Sequence, residues 1–272
     1  MMFATYDPSL GVCDEDYCFF GTDAAGASFC CEIDASGFNA ITLTGGASSD
    51  MVQLHYDGTE LDDYGASQGF PVTVYGQGGE DDISGSPASS ASYIEYLYGG
   101  ADHDVIWSHE GMDYLYGQDG DDDLDGGPDD DHVFGGAGND TVDGGVGDDV
   151  CYGDEGNDTI GGMSGNDQLY CGIGNVDIDG GDGSDELYGQ SGTDSLEGGD
   201  GSDSLHGGDD ADTVCGGGDA DLLYGDQGND QLWDDNIADE LNRGAGTGDT
   251  CTDAHIIIDA CETETSYGYP CP

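Results

Sequence analysis

The chain has 272 residues and carries 61 acidic residues against one basic residue, which gives a formal net charge of −60 at pH 7. Nucleic acids and anionic membrane surfaces are bound through clusters of basic residues, which Arg243 alone cannot provide. The absence of lysine also excludes P-loop nucleotide hydrolases, Schiff-base enzymes and Ser-Lys hydrolases. Sixteen tyrosines and a strict apolar period predict that this polyanion folds. We expect divalent cations to neutralise part of its negative charge.

Residues 1–70 are predicted to form an N-terminal cap, with one degenerate copy, at 45–53, of the nine-residue repeat that follows. Four cysteines lie in this segment, namely Cys13, Cys18, Cys30 and Cys31. They could form two disulfides in any of three connectivities, which implies an oxidising, extracellular compartment. Residues 1–12 lack the basic region and apolar run of a signal peptide, so we expect a removed leader or a leaderless export route.

Residues 71–98 are predicted to start a solenoid. They contain one repeat copy, Gly76–Ser84, with Asp81 at its sixth position. A loop around Pro87 then shifts the register before the main array begins.

A period of nine residues runs without insertion through residues 99–233, in fifteen copies. Position one is glycine except at Ser108 and Cys171, and position six is aspartate except at Val176. Position eight is Ile, Leu or Val except at Cys151. Because Cys151 and Cys171 are separated by about one predicted coil, a disulfide between them remains open.

The nonapeptide predicts a calcium-binding turn. Glycine at positions one, two and four permits positive φ and a tight turn. Such a turn directs several carbonyl oxygens toward one point, where the carboxylate of position six joins them. Flexible, all-oxygen coordination suits Ca²⁺ rather than zinc or copper, whereas aspartates that only solvate the turns would not need one fixed position. Positions seven to nine are predicted to form a short strand, and two nonapeptides make one 18-residue coil around a thin apolar core.

These residues resemble the RTX family of calcium-binding nonapeptide-repeat proteins. The resemblance implies an all-β fold, a parallel β-roll or β-solenoid, to which we add disulfide-stapled terminal caps. It also implies that each calcium lies between turns two repeats apart, so that fifteen turns hold up to about 13 ions. The implied metal ligands are Asp81, Asp104, Asp113, Asp122, Asp131, Asp140, Asp149, Asp158, Asp167, Asp185, Asp194, Asp203, Asp212, Asp221 and Asp230.

Five departures from the pattern of the family bear directly on the predicted calcium turns. Val176 is expected to weaken the calcium sites that it would share. At position four, glycine is replaced by Asp102, Asp129, Asp210 and Asp219, which leaves the turn geometry there open. A further weak copy at 244–252 would place Asp249 at position six.

Position nine falls into two columns, because successive nonapeptides alternate between the two sides of the coil. One column is aromatic and contains Tyr98, Tyr116, Phe134, Tyr152, Tyr170, Tyr188, His206 and Tyr224. The other column is mostly acidic. The aromatic column either rigidifies its own sheet or forms a docking face. The candidate occupants are a second copy of the chain, its own terminal segments, or the sugar rings of a polysaccharide.

Residues 234–272 are predicted to form the C-terminal cap. Cys251 and Cys261 are a plausible disulfide, which leaves Cys271 for a long-range or intermolecular bond. Residues 234–242 are predicted to form one short helix.

No HExxH or GxSxG motif occurs, so we do not expect an enzyme. His103 and His109 match no standard spacing for a second metal site. We expect an extracellular, calcium-dependent structural or adhesive scaffold, which self-associates into a matrix, surface layer or fibre through its aromatic face or roll ends. A polysaccharide-binding module and the calcium module of a secreted enzyme are the alternatives. The expected partners are calcium and either the chain itself or a polysaccharide, without nucleic acid and without membrane insertion. The family resemblance implies a secreted or cell-surface bacterial protein.

Overall fold

The computed structural model describes residues 71–85, 94–233, 242, 244–245 and 248–250 with their side chains, and the backbone of further strands on both sides. All the elements that it describes are β-strands. Within this part of the chain, no helix is long and apolar enough to cross a membrane. The side chains of the predicted cap disulfides, at Cys13, Cys18, Cys30, Cys31, Cys251, Cys261 and Cys271, lie outside the described residues, as does the loop around Pro87.

The strands form two sheets, and from β2 onward successive strands alternate between them. The 14-stranded sheet contains, in spatial order, β2 (Ser28–Cys31), β1 (Phe19–Thr22), β4 (Met51–Leu54), β6 (Asp82–Ser84), β8 (Val105–Trp107), β10 (Asp123–Pro128), β12 (Thr141–Val146), β14 (Thr159–Ser164), β16 (Asp177–Asp182), β18 (Ser195–Asp200), β20 (Thr213–Gly218), β22 (Gln231–Trp233), β24 (Thr250–Thr252) and β26 (Thr263–Thr265). The 12-stranded sheet contains β25 (Ile256–Ile257), β23 (Glu240–Asn242), β21 (Leu222–Gln227), β19 (Ser204–Asp209), β17 (Glu186–Tyr188), β15 (Gln168–Ile173), β13 (Val150–Glu155), β11 (His132–Ala137), β9 (Tyr114–Asp119), β7 (Glu95–Ala101), β5 (Val72–Gly78) and β3 (Ile41–Thr44).

The strand pairing confirms a parallel β-solenoid. Thr141 of β12 lies opposite Thr159 of β14, so one coil contains 18 residues, or two nonapeptides. Most strands from β8 to β22 are six residues long rather than three, because they continue through the first three positions of the next repeat, as in Thr141–Val146. At the N-terminal end the pairing changes, since β1 pairs antiparallel with both β2 and β4.

The core consists of one buried side chain per strand, from position eight of each repeat. Its members across the array are Ile106, Leu115, Leu124, Val133, Val142, Cys151, Ile160, Leu169, Ile178, Leu187, Leu196, Leu205, Val214, Leu223 and Leu232. Each is at most 2% exposed. So thin a core gives each coil little apolar burial with which to hold its shape.

The structure decides one open question and corrects one prediction. Cys151 and Cys171 are free buried thiols, because the residue opposite Cys151 in the next coil is Leu169. The prediction of a helix at 234–242 is wrong for its last three residues, since Glu240–Asn242 is strand β23, which extends the 12-stranded sheet by pairing with β21. Residues 234–239 lie outside the described residues.

Candidate calcium sites

Each repeat of the array from Gly99 to Tyr224 turns through two residues with positive φ, at positions two and four. Glycine occupies most of these positions, as at Gly136 (φ 114°) and Gly138 (φ 150°). The four aspartates that replace glycine at position four have φ between 66° and 81°, so they keep the left-handed turn; they are Asp102, Asp129, Asp210 and Asp219. The carbonyl oxygens of these turns approach the next coil closely, since a Cβ on Gly136 or Gly138 would lie within 3.0 Å of such an oxygen.

The acidic residues at position six form two ladders along the solenoid. In both, the backbone N–H of one position-six residue donates to the Oδ1 of the next one along, as from Asp122 to Asp140 at 2.8 Å and from Asp131 to Asp149 at 2.7 Å. The 14-strand ladder contains Asp81, Asp104, Asp122, Asp140 and Asp158, and then Asp194, Asp212, Asp230 and Asp249. The 12-strand ladder contains Glu95, Asp113, Asp131, Asp149, Asp167, Asp185, Asp203 and Asp221.

The second carboxylate oxygen is buried in both ladders. All fifteen aspartates that the sequence singled out are at most 2% exposed. The Oδ2 atom is buried without a hydrogen-bond partner in Asp104, Asp113, Asp122, Asp131, Asp140, Asp149, Asp158, Asp167, Asp185, Asp194, Asp203, Asp212, Asp230 and Asp249. A buried charged oxygen without a partner is costly, and a cation that binds it removes that cost.

Position one lines this oxygen-rich space. A Cβ on Gly135 would lie 2.5 Å from Asp140 Oδ2 and 2.9 Å from the carbonyl oxygen of Gly153. Gly135 itself has no positive φ, so position one is glycine because the space is occupied, not because of backbone conformation as the sequence suggested. Carboxylate and carbonyl oxygens at close quarters are the donors of a calcium site, so the residues present fit this ion.

Backbone oxygens must contribute to such sites. Among the residues with described side chains, no group of three or more His, Cys, Asp and Glu side chains could hold a metal ion. This also leaves His103 and His109 without a metal site of their own within the described region. The coordination that the fold offers is therefore one of backbone carbonyls with at most two carboxylates for each ion, which favours a hard cation.

Without metal, the ladder carboxyls ionise less readily than ordinary aspartates. Burial raises the pKa of Asp122 and Asp149 to about 6 and that of Asp140 to about 7. Burial also raises the pKa of Asp131 to about 10, and the negative charges of its ladder neighbours contribute. The metal-free solenoid therefore opposes the ionised form that binds calcium.

Sequence reasoning missed one acidic residue of the ladders, and it missed that two replacements within one repeat accompany each other. Glu95 occupies a position-six site ahead of the main array, and its N–H donates to Asp113 Oδ1 at 2.7 Å. Two residues in the sequence could have revealed this repeat: Gly85, which lies ten residues before Glu95 at position one, and Leu97, which lies at the apolar position eight. The repeat that carries Val176 in place of aspartate also carries Cys171 in place of glycine, and both side chains are buried.

The aromatic column is a continuous stack of rings on the 12-stranded sheet. Neighbouring centroids are 4.4–5.1 Å apart and the rings are within 14° of parallel, through Tyr75, Tyr98, Tyr116, Phe134, Tyr152, Tyr170, Tyr188, His206 and Tyr224. A shorter stack beside it joins Tyr96, Tyr114 and His132. The structure thus brings all the predicted interaction-face residues into one line and adds Tyr75.

Comparison with known proteins agrees with this geometry. The family model described as the RTX calcium-binding nonapeptide repeat (4 copies) matches residues 91–124, 98–133, 125–160, 161–196, 188–223 and 197–232. These overlapping matches cover more than half of the chain. No curated protein matches it in sequence.

Proposed function

Because the chain belongs to the family of RTX calcium-binding nonapeptide repeats, we propose that it is a calcium-dependent scaffold outside a bacterial cell, which self-associates and is not an enzyme. The observation that carries this proposal is the series of buried Oδ2 atoms without partners in the two ladders. Extracellular calcium modules bind at roughly 10⁻⁴–10⁻³ M. The ladders would therefore fill outside a cell and remain empty in a cytosol.

Calcium binding and folding are coupled in this proposal. The position-six carboxylates and the turn carbonyls would hold the ions, which supply positive charge between neighbouring coils. A chain with a net charge of −60 and a core one side chain deep per strand gains too little from burial to overcome its own repulsion. Since a cation that binds only the folded state stabilises it, calcium would order the solenoid.

The two broad faces differ in charge, which supports a specific contact surface. We define the aromatic face as the outward residues at positions seven and nine of strands β5 to β21 in the 12-stranded sheet. One of its eighteen residues, Glu186, is acidic. We define the acidic face as the equivalent positions of strands β6 to β22, where seven of eighteen residues are acidic. A polyanion can approach another copy of itself most easily through a face that is nearly free of charge.

The stacking geometry favours a second copy over a polysaccharide as the occupant of the aromatic face. Sugars stack on the face of an aromatic ring, but each ring inside this column has both faces covered by neighbours about 5 Å away. The rings present their edges and hydroxyls instead. Two such flat faces can pack against each other as two sheets do.

Light scattering with millimolar calcium, and again after chelation, tests this proposal. We expect assemblies with calcium and none without it. A triple variant, Tyr152→Ser, Tyr170→Ser and Tyr188→Ser, should keep its calcium-dependent circular dichroism but remain a single chain. Trp107→Ser is the matched control, because Trp107 is 49% exposed on the acidic face, and this variant should assemble normally.

Two results would contradict the proposal. A calcium-loaded chain that stays monomeric excludes self-association. If that chain also bound members of a glycan panel, the alternative function as a polysaccharide-binding module would be supported instead. Assembly of the triple variant would show that the aromatic face is not the contact.

A further inference from the structure

The 12-strand ladder begins one repeat before the uninterrupted array. The copy that starts at Gly85 reaches position nine at Tyr98 after fourteen residues instead of nine, so the insertion moves its position-six residue to Glu95. Glu95 is 1% exposed and donates its N–H to Asp113 Oδ1 at 2.7 Å. This is the same backbone link that joins Asp113 to Asp131 one coil later.

Glu95 also reproduces the oxygen-lined space beside position one. A Cβ on Gly85 would lie less than 3.0 Å from both Glu95 Oε2 and the carbonyl oxygen of Ser108. At Gly135 the same space is bounded by Asp140 Oδ2 and the carbonyl oxygen of Gly153. The longer glutamate side chain thus brings its oxygen to the place that an aspartate oxygen occupies elsewhere. Asp113 Oδ2, one coil away, is buried without a hydrogen-bond partner.

The 14-strand ladder is interrupted once, in the repeat of Cys171 and Val176. Val176 still donates its N–H to Asp194 Oδ1 at 2.9 Å, and Ile160 still pairs with Ile178 across the break. The solenoid is therefore continuous while the row of carboxylates is not. Where glycine occupies position one, as at Gly153 and Gly189, an added Cβ would lie within 3.0 Å of the position-six carboxylate, whereas in the repeat of Cys171 valine has replaced that carboxylate.

We infer that Glu95 is a calcium ligand and that the Cys171–Val176 repeat removes two calcium sites, so that the ladders hold fourteen sites in three blocks. The inference rests on the proposed function, because it assumes that consecutive position-six carboxylates share an ion. The 12-strand ladder then has seven such pairs. The 14-strand ladder has four pairs before Val176 and three after it.

Native mass spectrometry of the full chain at saturating calcium tests the Glu95 site by counting bound ions relative to the unchanged protein. Glu95→Gln should bind one ion fewer. The matched control is Glu80→Gln, an exposed carboxylate outside the ladders, which should bind the same number as the unchanged chain. An unchanged count in Glu95→Gln overturns its assignment as a ligand.

A gain of sites tests the gap without relying on a damaged variant. Cys171→Gly combined with Val176→Asp restores the repeat and should bind two more ions than the unchanged chain, whereas Cys171→Gly alone should bind none more. A count that does not rise in the double variant, while circular dichroism shows it folded, overturns the gap. These counts are independent of assembly. A chain that binds calcium but stays monomeric refutes the proposed scaffold, while the ion counts still decide whether the inferred sites are correct. A chain that binds no calcium overturns both the scaffold and the sites.

Discussion

Replacing Gly135 by alanine tests whether position one must be empty. The new Cβ would lie 2.5 Å from Asp140 Oδ2 and 2.9 Å from the Gly153 carbonyl oxygen, separations that real carbon and oxygen atoms do not adopt. Both oxygens must move, and overpacking of this kind costs about 1–3 kcal/mol, roughly a 5- to 150-fold loss in the folding equilibrium. Because the displaced atoms are the ones expected to bind calcium, the calcium concentration for half-folding should also rise.

Denaturant unfolding at saturating calcium and a calcium titration followed by circular dichroism measure these two effects. Gly78→Ala is the matched control, since a Cβ there has no atom within 4 Å and Gly78 has no positive φ. This control should be neutral or stabilise by about 0.4–1 kcal/mol, because alanine restricts the unfolded chain. Equal unfolding midpoints for Gly135→Ala and Gly78→Ala would refute the argument.

A double variant separates the steric effect from the loss of calcium binding. Gly135→Cys with Asp140→Val copies the natural pair at Cys171 and Val176, so it should be more stable at saturating calcium than Gly135→Cys alone while binding fewer ions. Ser108 marks the limit of the rule. It is accommodated at position one beside Asp113, and its hydroxyl donates to the Gly126 carbonyl oxygen at 2.5 Å. Alanine has no such hydrogen bond.

Three further changes have defined outcomes. Without calcium, burial raises the pKa of ladder carboxyls such as Asp140 to about 7, above the value near 3.9 expected when unfolded. The raised pKa stabilises the folded, metal-free chain fully below about pH 4, and this stabilisation is lost as the pH rises through 7. Acidifying the chelated protein from pH 8 to 4 should therefore increase its β-sheet circular dichroism. A decrease would contradict this prediction. Tyr152→Ser removes two ring contacts, with centroid separations of 4.8 and 4.9 Å, and should lower the free energy of unfolding by about 1–3 kcal/mol. An unchanged midpoint in denaturant unfolding would show that the stack does not stabilise the fold. Cys151 and Cys171 are free and buried, and burial raises the pKa of both thiols, so a thiol reagent should label them only after chelation, and rapid labelling with calcium present would show that the roll opens.

The sequence predicted the features that depend on a regular period. A repeat of nine with one apolar position determines an 18-residue coil, and the pairing of Thr141 with Thr159 confirms it. Glu95 escaped prediction because the insertion before it moves the carboxylate out of register, and only the folded backbone shows that it precedes Asp113 in the ladder. The reason for glycine at position one also lay beyond the sequence, because the atom that excludes a side chain is brought there by the fold.

The remaining charge determines how copies of the chain can meet. If the fourteen inferred sites were all filled, the ions would supply 28 positive charges and leave more than half of the formal −60 uncompensated. Calcium therefore orders the solenoid without making it neutral, and the acidic face still repels other copies.

Ionic strength then distinguishes an apolar contact from an ionic one. The screening length falls from about 30 Å at 0.01 M salt to about 8 Å at 0.15 M. If the aromatic face is the contact, added sodium chloride at constant calcium should strengthen assembly in light scattering, because it screens repulsion and leaves the burial of aromatic rings intact. Triple replacement of Tyr152, Tyr170 and Tyr188 by serine should remove this response. Assembly that dissolves as salt is added would mean that calcium bridges between acidic faces hold the copies together. The stacked rings of the aromatic face would then only rigidify the 12-stranded sheet.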